Sequence, residues 1–431
     1  VLQLSRYLAG KGKNRRAMRG GVRLLTLLVA IGAGLPAHAT GPETDAPPAE
    51  GEDGMDIGTE AGFAAWVAGF RTRALAAGIT PQTFDAAFRD ARFDPAVLEK
   101  DRNQSEFTKT IWDYLDSAVS DAQIENGQAA LRANLALLEQ IEATYGVDKE
   151  VVVAVWGLES AYGSYRGDYP LIGTLATLAC DTRRGAFFEG QLLAALTILQ
   201  SGDVDAAAMT GSWAGAMGHT QFIPTSYLAH AVDFTGDGRR DIWSDDPADA
   251  LASTAAYLAD AGWQRGKPWG VEVTVPPGFD YGETGERVKM PVADWQALGV
   301  RSVEGGALPD HGPASVLLPA GAQGAAFLIF ANFQVIERYN SADAYVIGIG
   351  HLADRIAGGP PIRAAWPRQD RALKRGERVE LQQRLAAAGF DPGAADGKIG
   401  PNTIAALRAF QRSIGAVPDG YASLEMLQKL R

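Results

Sequence analysis

The sequence predicts a mainly α protein, with a small β insertion and a separate small α domain at its C-terminal end. Three observations carry that expectation. Apolar residues recur at helical spacing from Phe63 to Ala261, and again from Gly324 to Arg355. Between 270 and 325 the texture changes: GVEVTVPP and RVKMPV alternate with the period of strands, set off by glycine and proline. A linker over 358–369, containing GGPPIRAAWP, then separates the last of these helices from two amphipathic segments within 370–431. A chain of 431 residues is long enough for two or three domains with a sizeable core.

The elements follow in order. Seven cations, from Arg6 to Arg23, precede the first acid, and an apolar run LLTLLVAIGAGL spans 24–35 before PAHA. This reads as a secretory signal over 1–39, cleaved after Ala39; a retained signal-anchor is the alternative. Its removal would take the net charge from −11 to −18, which disfavours nucleic acid as a partner. No cysteine lies at the cleavage point, so no lipid anchor is expected, and the only cysteine, Cys180, reads as a buried apolar residue. Residues 40–58 are rich in proline, glycine and acid and read as a flexible linker.

Phe63, Trp66, Val67, Phe70 and Leu75 open the first helix, and Thr80-Pro81 starts another, with proline at its first position. Helical patterns continue over Phe107–Leu115 and Ala129–Tyr145. Asp148 is the expected N-cap of a helix through Val151–Glu159 that is apolar on several faces. Further helices are expected at Phe187–Gln200, Asp249–Ala261, Gly324–Arg338 and Ala342–Arg355. In the C-terminal domain they fall on VELQQRLAAAGF and TIAALRAFQRSIG.

One acid stands out. Glu159 lies inside VVVAVWGLESAYGSY, where burial would raise its pKa and keep it protonated near neutral pH, as a general acid requires. The plainer alternative is a solvated Glu, or one paired with Arg183 or Arg184. Between Trp156 and Ala179 the only other acid is Asp168, in a GDYP turn. A second feature is VDFTGDGRRDIWSDDPADAL (232–251). Asp233, Thr235, Asp237 and the Arg239 carbonyl have the 1, 3, 5, 7 spacing of an EF-hand-like calcium loop, with Gly238 at the turn. Ser244 stands where the usual position-12 Glu would be. The alternative is a turn that caps itself through Asx hydrogen bonds.

The segments WGLESAYGSYRGDYPLIGTLATLA, TRRGAFFEGQLLAAL and GSWAGAMGHTQFIPTSY resemble the membrane-bound lytic transglycosylase B family of murein-cleaving enzymes. NQSEFTKTIWDYL upstream and NFQVIERYNSADAYVIGIGHLA downstream extend the resemblance to roughly 56–360. It implies a goose-lysozyme-like α catalytic domain over 59–357, with a β subdomain at about 270–325. It also implies Glu159 as catalytic acid and base. Ser212, Gln221, Tyr257, Asn332, Tyr339 and Asn340 would contact sugar, and Arg183 and Arg184 could meet murein carboxylates. Asp249 would close the calcium loop, making calcium a possible structural ion while no cofactor is required.

LQQRLAAAGFDPGAADGKIGPNTIAALRAFQRSIGAVPDG resembles the peptidoglycan-binding type 1 domain and implies a three-helix module over 370–431. The expected activity is cleavage of the MurNAc–GlcNAc β-1,4 bond with 1,6-anhydromuramic ends. The substrate's own C6 hydroxyl would replace the second carboxylate that glycosidases normally need. A lysozyme-type hydrolase and a non-catalytic murein-binding scaffold are the alternatives. The implied setting is periplasmic, the partner is peptidoglycan glycan strands, and cell-wall synthesis or division proteins are further candidates.

Overall fold

A computed structural model of the chain describes residues 58–102, 109–181 and 183–431. The expected signal, nearly all of the linker over 40–58, and residues 103–108 of the NQSEFTK stretch lie outside the described residues.

The helical spacing from Phe63 produces the first helix, Glu60–Ala76, whose Thr59 hydroxyl accepts the Gly62 N–H at 3.1 Å. Thr80 caps Pro81–Phe88 in the same way, with the proline at the first helical position. Ala129–Tyr145 is not one helix. It breaks at Asn134, which ends Asp121–Ala133 and precedes Leu135–Tyr145; its side-chain amide donates back to the Ala130 carbonyl. That local bond competes with continuing the helix, which periodicity cannot register.

The helix Lys149–Ser160 is the central element, and every residue from Val151 to Ser160 is buried. It packs against Asp343–Ile356, Asp121–Ala133, Leu135–Tyr145 and Ala248–Asp260. Asp148 takes the N-cap position, but its carboxylate does not cap. It accepts the Trp263 indole N–H at 2.8 Å and the Gly266 N–H at 3.1 Å instead.

A second core gathers Phe70, Phe84, Leu175, Leu196 and Trp213 around the paired helices Leu171–Cys180 and Gly185–Ser201. Cys180 is buried there, and desolvation pushes its thiol up to about 11. Each fully buried Leu or Phe contributes ~1.5–3 kcal/mol. Tyr257 and Tyr339 pack against both this core and that of the central helix, so they mark the seam between the two.

The insertion holds an antiparallel four-stranded sheet, in the order Arg301–Ser302, Gly270–Thr274, Ala326–Ile329, Ser315–Leu317. Gly270 pairs with Ile329, Val273 with Ala326, and Leu317 with Phe327. The helix expected from Gly324 therefore starts later, at Ala331–Tyr339. AFLI is a strand buried on both faces, a pattern that a short apolar run shares with helix. RVKMPV forms no strand; only Met290 bridges, to Ala314. Trp295 anchors a core specific to the insertion, donating its indole N–H to the Ala314 carbonyl.

Helices Arg375–Ala387, Pro401–Ser413 and Leu424–Leu430 form the C-terminal module around Leu381, Leu385, Leu407, Phe410 and Leu427. It docks on the insertion through Asp419, which accepts the Ala322 N–H at 2.9 Å, and Arg408, which donates to the Thr284 hydroxyl at 2.8 Å. A cavity of about 530 Å³ lies along this seam, lined by residues such as Gln323, Asp370, Val417 and Tyr421, and holds no part of the Glu159 site. Among the described residues no helix is long and apolar enough to cross a membrane.

Candidate active site

The central helix ends in a run of left-handed residues: Ala161 at φ 50°, Tyr162 at φ 58° and Gly163 at φ 84°. The Ala161 and Tyr162 N–H groups donate back to the Gly157 and Trp156 carbonyls, closing the last turn. The reversal folds the Tyr162 ring over Gly157, where a Cβ would lie 2.6 Å from the ring. Glu159 is held in this closed turn and is 8% exposed.

Its two oxygens differ. Oε1 accepts the Tyr345 hydroxyl at 2.5 Å, while Oε2 is buried with no partner. Burial pushes the carboxyl up to about 7, and the Tyr345 bond opposes that rise; among the described residues no neighbouring charge contributes. Since Tyr345 donates to Oε1, the acid proton belongs on Oε2, the oxygen left free for another molecule. The pairing with Arg183 or Arg184 does not occur. Arg183 pairs with Asp101 and also donates to the Asp101 carbonyl, while Arg184 lies 5.0 Å over the Phe187 ring and 5.1 Å over Phe188. Asp168 is exposed on its turn beside Tyr169–Pro170.

Aromatic rings build one wall. Tyr339 stacks on Tyr345 at 6.4 Å and meets Tyr257 edge-on at 5.1 Å; Phe222 packs against both Tyr257 and Tyr339. The Tyr339 hydroxyl donates to the Thr220 carbonyl, and burial and the charge of Glu159 push its pKa above the ordinary range. The Tyr257 hydroxyl donates to the Arg338 carbonyl at 2.6 Å. Gln221 sits at φ 54° and spends its amide N–H groups on the Gly218 and Arg166 carbonyls. The Ser212 hydroxyl accepts the Ala216 N–H at 3.0 Å, shaping the small-residue turn. Asn340 is buried and accepts the Ala342 N–H.

Asn332 is built differently. It is 1% exposed, accepts the Gln264 N–H and donates to the Gln264 and Lys267 carbonyls. Both of its N–H donors are thereby spent within the protein.

Three residues that the sequence reading did not single out belong to the site. Tyr345 holds Glu159. The Tyr114 hydroxyl is buried without a partner and feels the charge of Glu159. His219 touches the helix on both sides of Glu159. A tyrosine in an apolar helix carries no period or spacing that marks it, so only its partner reveals its role.

The Asp-rich loop folds on itself. Asp233 accepts the N–H groups of Gly236, Asp237 and Gly238 and the Thr235 hydroxyl, which holds its pKa below the usual range. Asp249 is buried and accepts those of Phe234, Thr235 and Asp241. Asp237 accepts the Arg239 N–H. Among the described residues no three acids, histidines or cysteines converge as a metal-holding group. Asp233 Oδ2 and Asp249 Oδ2 each accept one backbone N–H, so both keep lone-pair capacity that could meet a cation.

Residues 62–354 match the family described as Transglycosylase SLT domain. The chain belongs to that family. Within it, the chain groups with the lytic murein transglycosylase B proteins, and residues 374–430 match a putative peptidoglycan binding domain. It is 31% identical over 247 residues to the membrane-bound lytic murein transglycosylase B of Escherichia coli; the match spans 57% of this chain and 66% of that relative. Among solved structures it is similar to SltB3 from Pseudomonas aeruginosa in complex with NAG-anhNAM-pentapeptide. That likeness has 51% identity and a TM-score of 0.84, over 86% of this chain and 99% of that one. It is also similar to the Escherichia coli lytic transglycosylase SLT35 in complex with calcium. There the identity is 28% and the TM-score 0.59, over 70% of this chain and 94% of the other.

Proposed function

We infer that the chain is a lytic transglycosylase that cleaves the MurNAc–GlcNAc β-1,4 bond of peptidoglycan and leaves 1,6-anhydromuramic ends. The observation that carries this reading is Glu159: a buried carboxyl, raised to about 7, with Oε2 free and, among the described residues, no second acid acting on it. Glu159 Oε2 gives its proton to the glycosidic oxygen as the bond to muramic C1 breaks. The muramic C6 hydroxyl closes on C1, and Glu159, now a carboxylate, takes the C6 proton. Tyr345 steadies that carboxylate, since its hydrogen bond favours the charged form. No water is consumed. The family match and the likeness to SltB3 with a NAG-anhNAM-pentapeptide support the same substrate class.

Lysozyme-type hydrolysis is the second reading, and the exposed position of Asp168 counts against a two-carboxylate version. The mass of muropeptides released from purified sacculi separates the two. Anhydro ends, one water lighter than the hydrolytic product, are expected; reducing ends would remove the transglycosylase reading. A Glu159→Gln variant should release nothing, and one that still cleaves would refute the assignment of the acid.

The sugar-contact roles of Ser212, Gln221, Tyr257, Tyr339 and Asn340 stand as proposals beside this, as does carboxylate recognition by Arg183 and Arg184. The proposed organisation keeps a signal at 1–39, linkers at 40–58 and 358–369, a catalytic domain at 59–357 and a murein-binding module at 370–431. Export to the periplasm is tested by the N-terminus of the mature protein, expected at Thr40. Co-purification with the Glu159→Gln variant tests cell-wall synthesis or division proteins as partners. Calcium would draw on Asp233, Thr235, Asp237, the Arg239 carbonyl and Asp249, and no step runs through it. A Tm that rises with added calcium and falls back with chelator would support the ion; an unchanged Tm assigns the loop to its own backbone.

A further inference from the structure

We propose that His219 is a positioning residue for Glu159, clamping the last turn of the catalytic helix through one fixed tautomer. The residues on either side of the acid both reach it. Trp156, one turn before Glu159, donates its indole N–H to His219 Nδ1 at 3.1 Å. Ser160, the next residue, donates its hydroxyl to the His219 carbonyl at 2.6 Å and accepts the Gly163 N–H at 2.9 Å. The ring fills the space beside Gly163, where a Cβ would lie 2.6 Å from Nδ1. On its far side, Nε2 meets the Ser244 carbonyl at 2.8 Å.

The indole donor and the Ser244 carbonyl together select one neutral tautomer, while Arg166 Nη1 beside Nε2 donates to that same carbonyl. An indole nitrogen only donates, so Nδ1 is bare; a carbonyl only accepts, so Nε2 carries the hydrogen. An imidazolium would turn Nδ1 into a donor facing the indole N–H and break the contact to the helix. The charged groups facing the ring are Arg166, from the turn after the helix, and Asp241 and Asp245, from the loop beyond. Arg166 lies 3.1 Å from Nε2, shares the Ser244 carbonyl and pairs with Asp245. The helix itself contributes Trp156 and Ser160, neither of which titrates near neutrality. Burial first, and then Arg166, hold the imidazole below its ordinary pKa, in keeping with the neutral tautomer.

His219 thus joins the catalytic helix, the small-residue turn and the 244–245 loop at one ring. It does not touch the Glu159 carboxyl. Its work is to fix where Oε2 points, which matters for the chemical step more than for binding.

The proposal rests on Glu159 being the acid. It is tested with soluble, uncrosslinked murein strands. His219→Leu removes both side-chain bonds, His219→Asn keeps an acceptor at the Nδ1 place, and His219→Gln keeps a donor near the Nε2 place. The Leu variant should lose ~10–100-fold in kcat with KM within about 2-fold. Asn should recover most of that loss, and Gln little of it. A Leu variant with unchanged kcat, or Asn and Leu variants equally impaired, overturns the proposal. Nitrogen-15 NMR of the intact wild-type protein gives a readout that needs no variant to fold: at pH 7 the His219 ring should show a bare Nδ1 and a protonated Nε2. The reverse tautomer also overturns it. An active Glu159→Gln variant would remove the acid assignment itself; an inactive one beside an unimpaired His219→Leu removes only the positioning role.

Discussion

Glu159 keeps a proton near neutrality because its burial makes the carboxylate costly, and Tyr345 offsets only part of that cost. Two outcomes follow from the direction of the shift. In the proposed mechanism protonated Glu159 starts the reaction, so kcat should fall as pH rises through about 7. Stability follows the same proton. Between the ordinary value of 4.5 and about 7 the folded state holds a proton that the unfolded chain has released. The contribution is therefore complete below 4.5 and lost as pH rises through about 7. Glu159→Gln removes this penalty, so at pH 8 the inactive variant should unfold later than wild type, by up to ~2–3 kcal/mol. The difference should vanish near pH 4, as thermal unfolding at the two pH values will show. Tyr345→Phe removes the bond that favours the carboxylate. Its kcat should drop, and the alkaline limb of its pH profile should move upward.

The Lys149–Ser160 helix is plain in the sequence, since VVVAVWGL can only be buried on nearly all sides, and every residue from Val151 to Ser160 is. Its ends were not plain. Asp148 holds the N-cap position, but its carboxylate serves Trp263 and Gly266. The closing turn depends on Gly157, whose missing Cβ leaves room for the Tyr162 ring. The Tyr162 hydroxyl is tied to the Gln123 carbonyl at 2.7 Å, so the ring cannot swing aside without losing that bond. Gly157→Ala should therefore destabilise the protein by ~1–3 kcal/mol in urea unfolding, despite the better helix propensity of alanine. The same limit explains the AFLI segment, where the apolar spacing predicts helix and the short run, buried on both faces, is strand.

At the scale of the molecule, the site lies on a seam. Tyr257 and Tyr339 pack against both large cores, and Glu159 lies buried on the central helix of one of them. The C-terminal module has a core of its own, from Leu381 to Leu427, so it should fold when expressed alone as 370–431. It should then pellet with purified sacculi, and the full-length Glu159→Gln chain should pellet more tightly, because two linked contacts raise the effective concentration of each. A module that stays in the supernatant would count against murein recognition by 370–431.

The sequence by itself determined the helical character, the presence of a β insertion and the separate C-terminal module, and it marked Glu159 as an acid set in an apolar helix. Each of these is written in a local period or in a motif of fixed spacing. Tertiary structure alone decided which oxygen of Glu159 is free, because Tyr345 lies 186 residues away in the chain. It also decided that Asn332 is spent on Gln264 and Lys267, that Asp249 is committed to backbone N–H groups, and that His219 clasps the helix around the acid. Hydrogen-bond partners are set by where the chain returns in space, and no local pattern of residue types records that return.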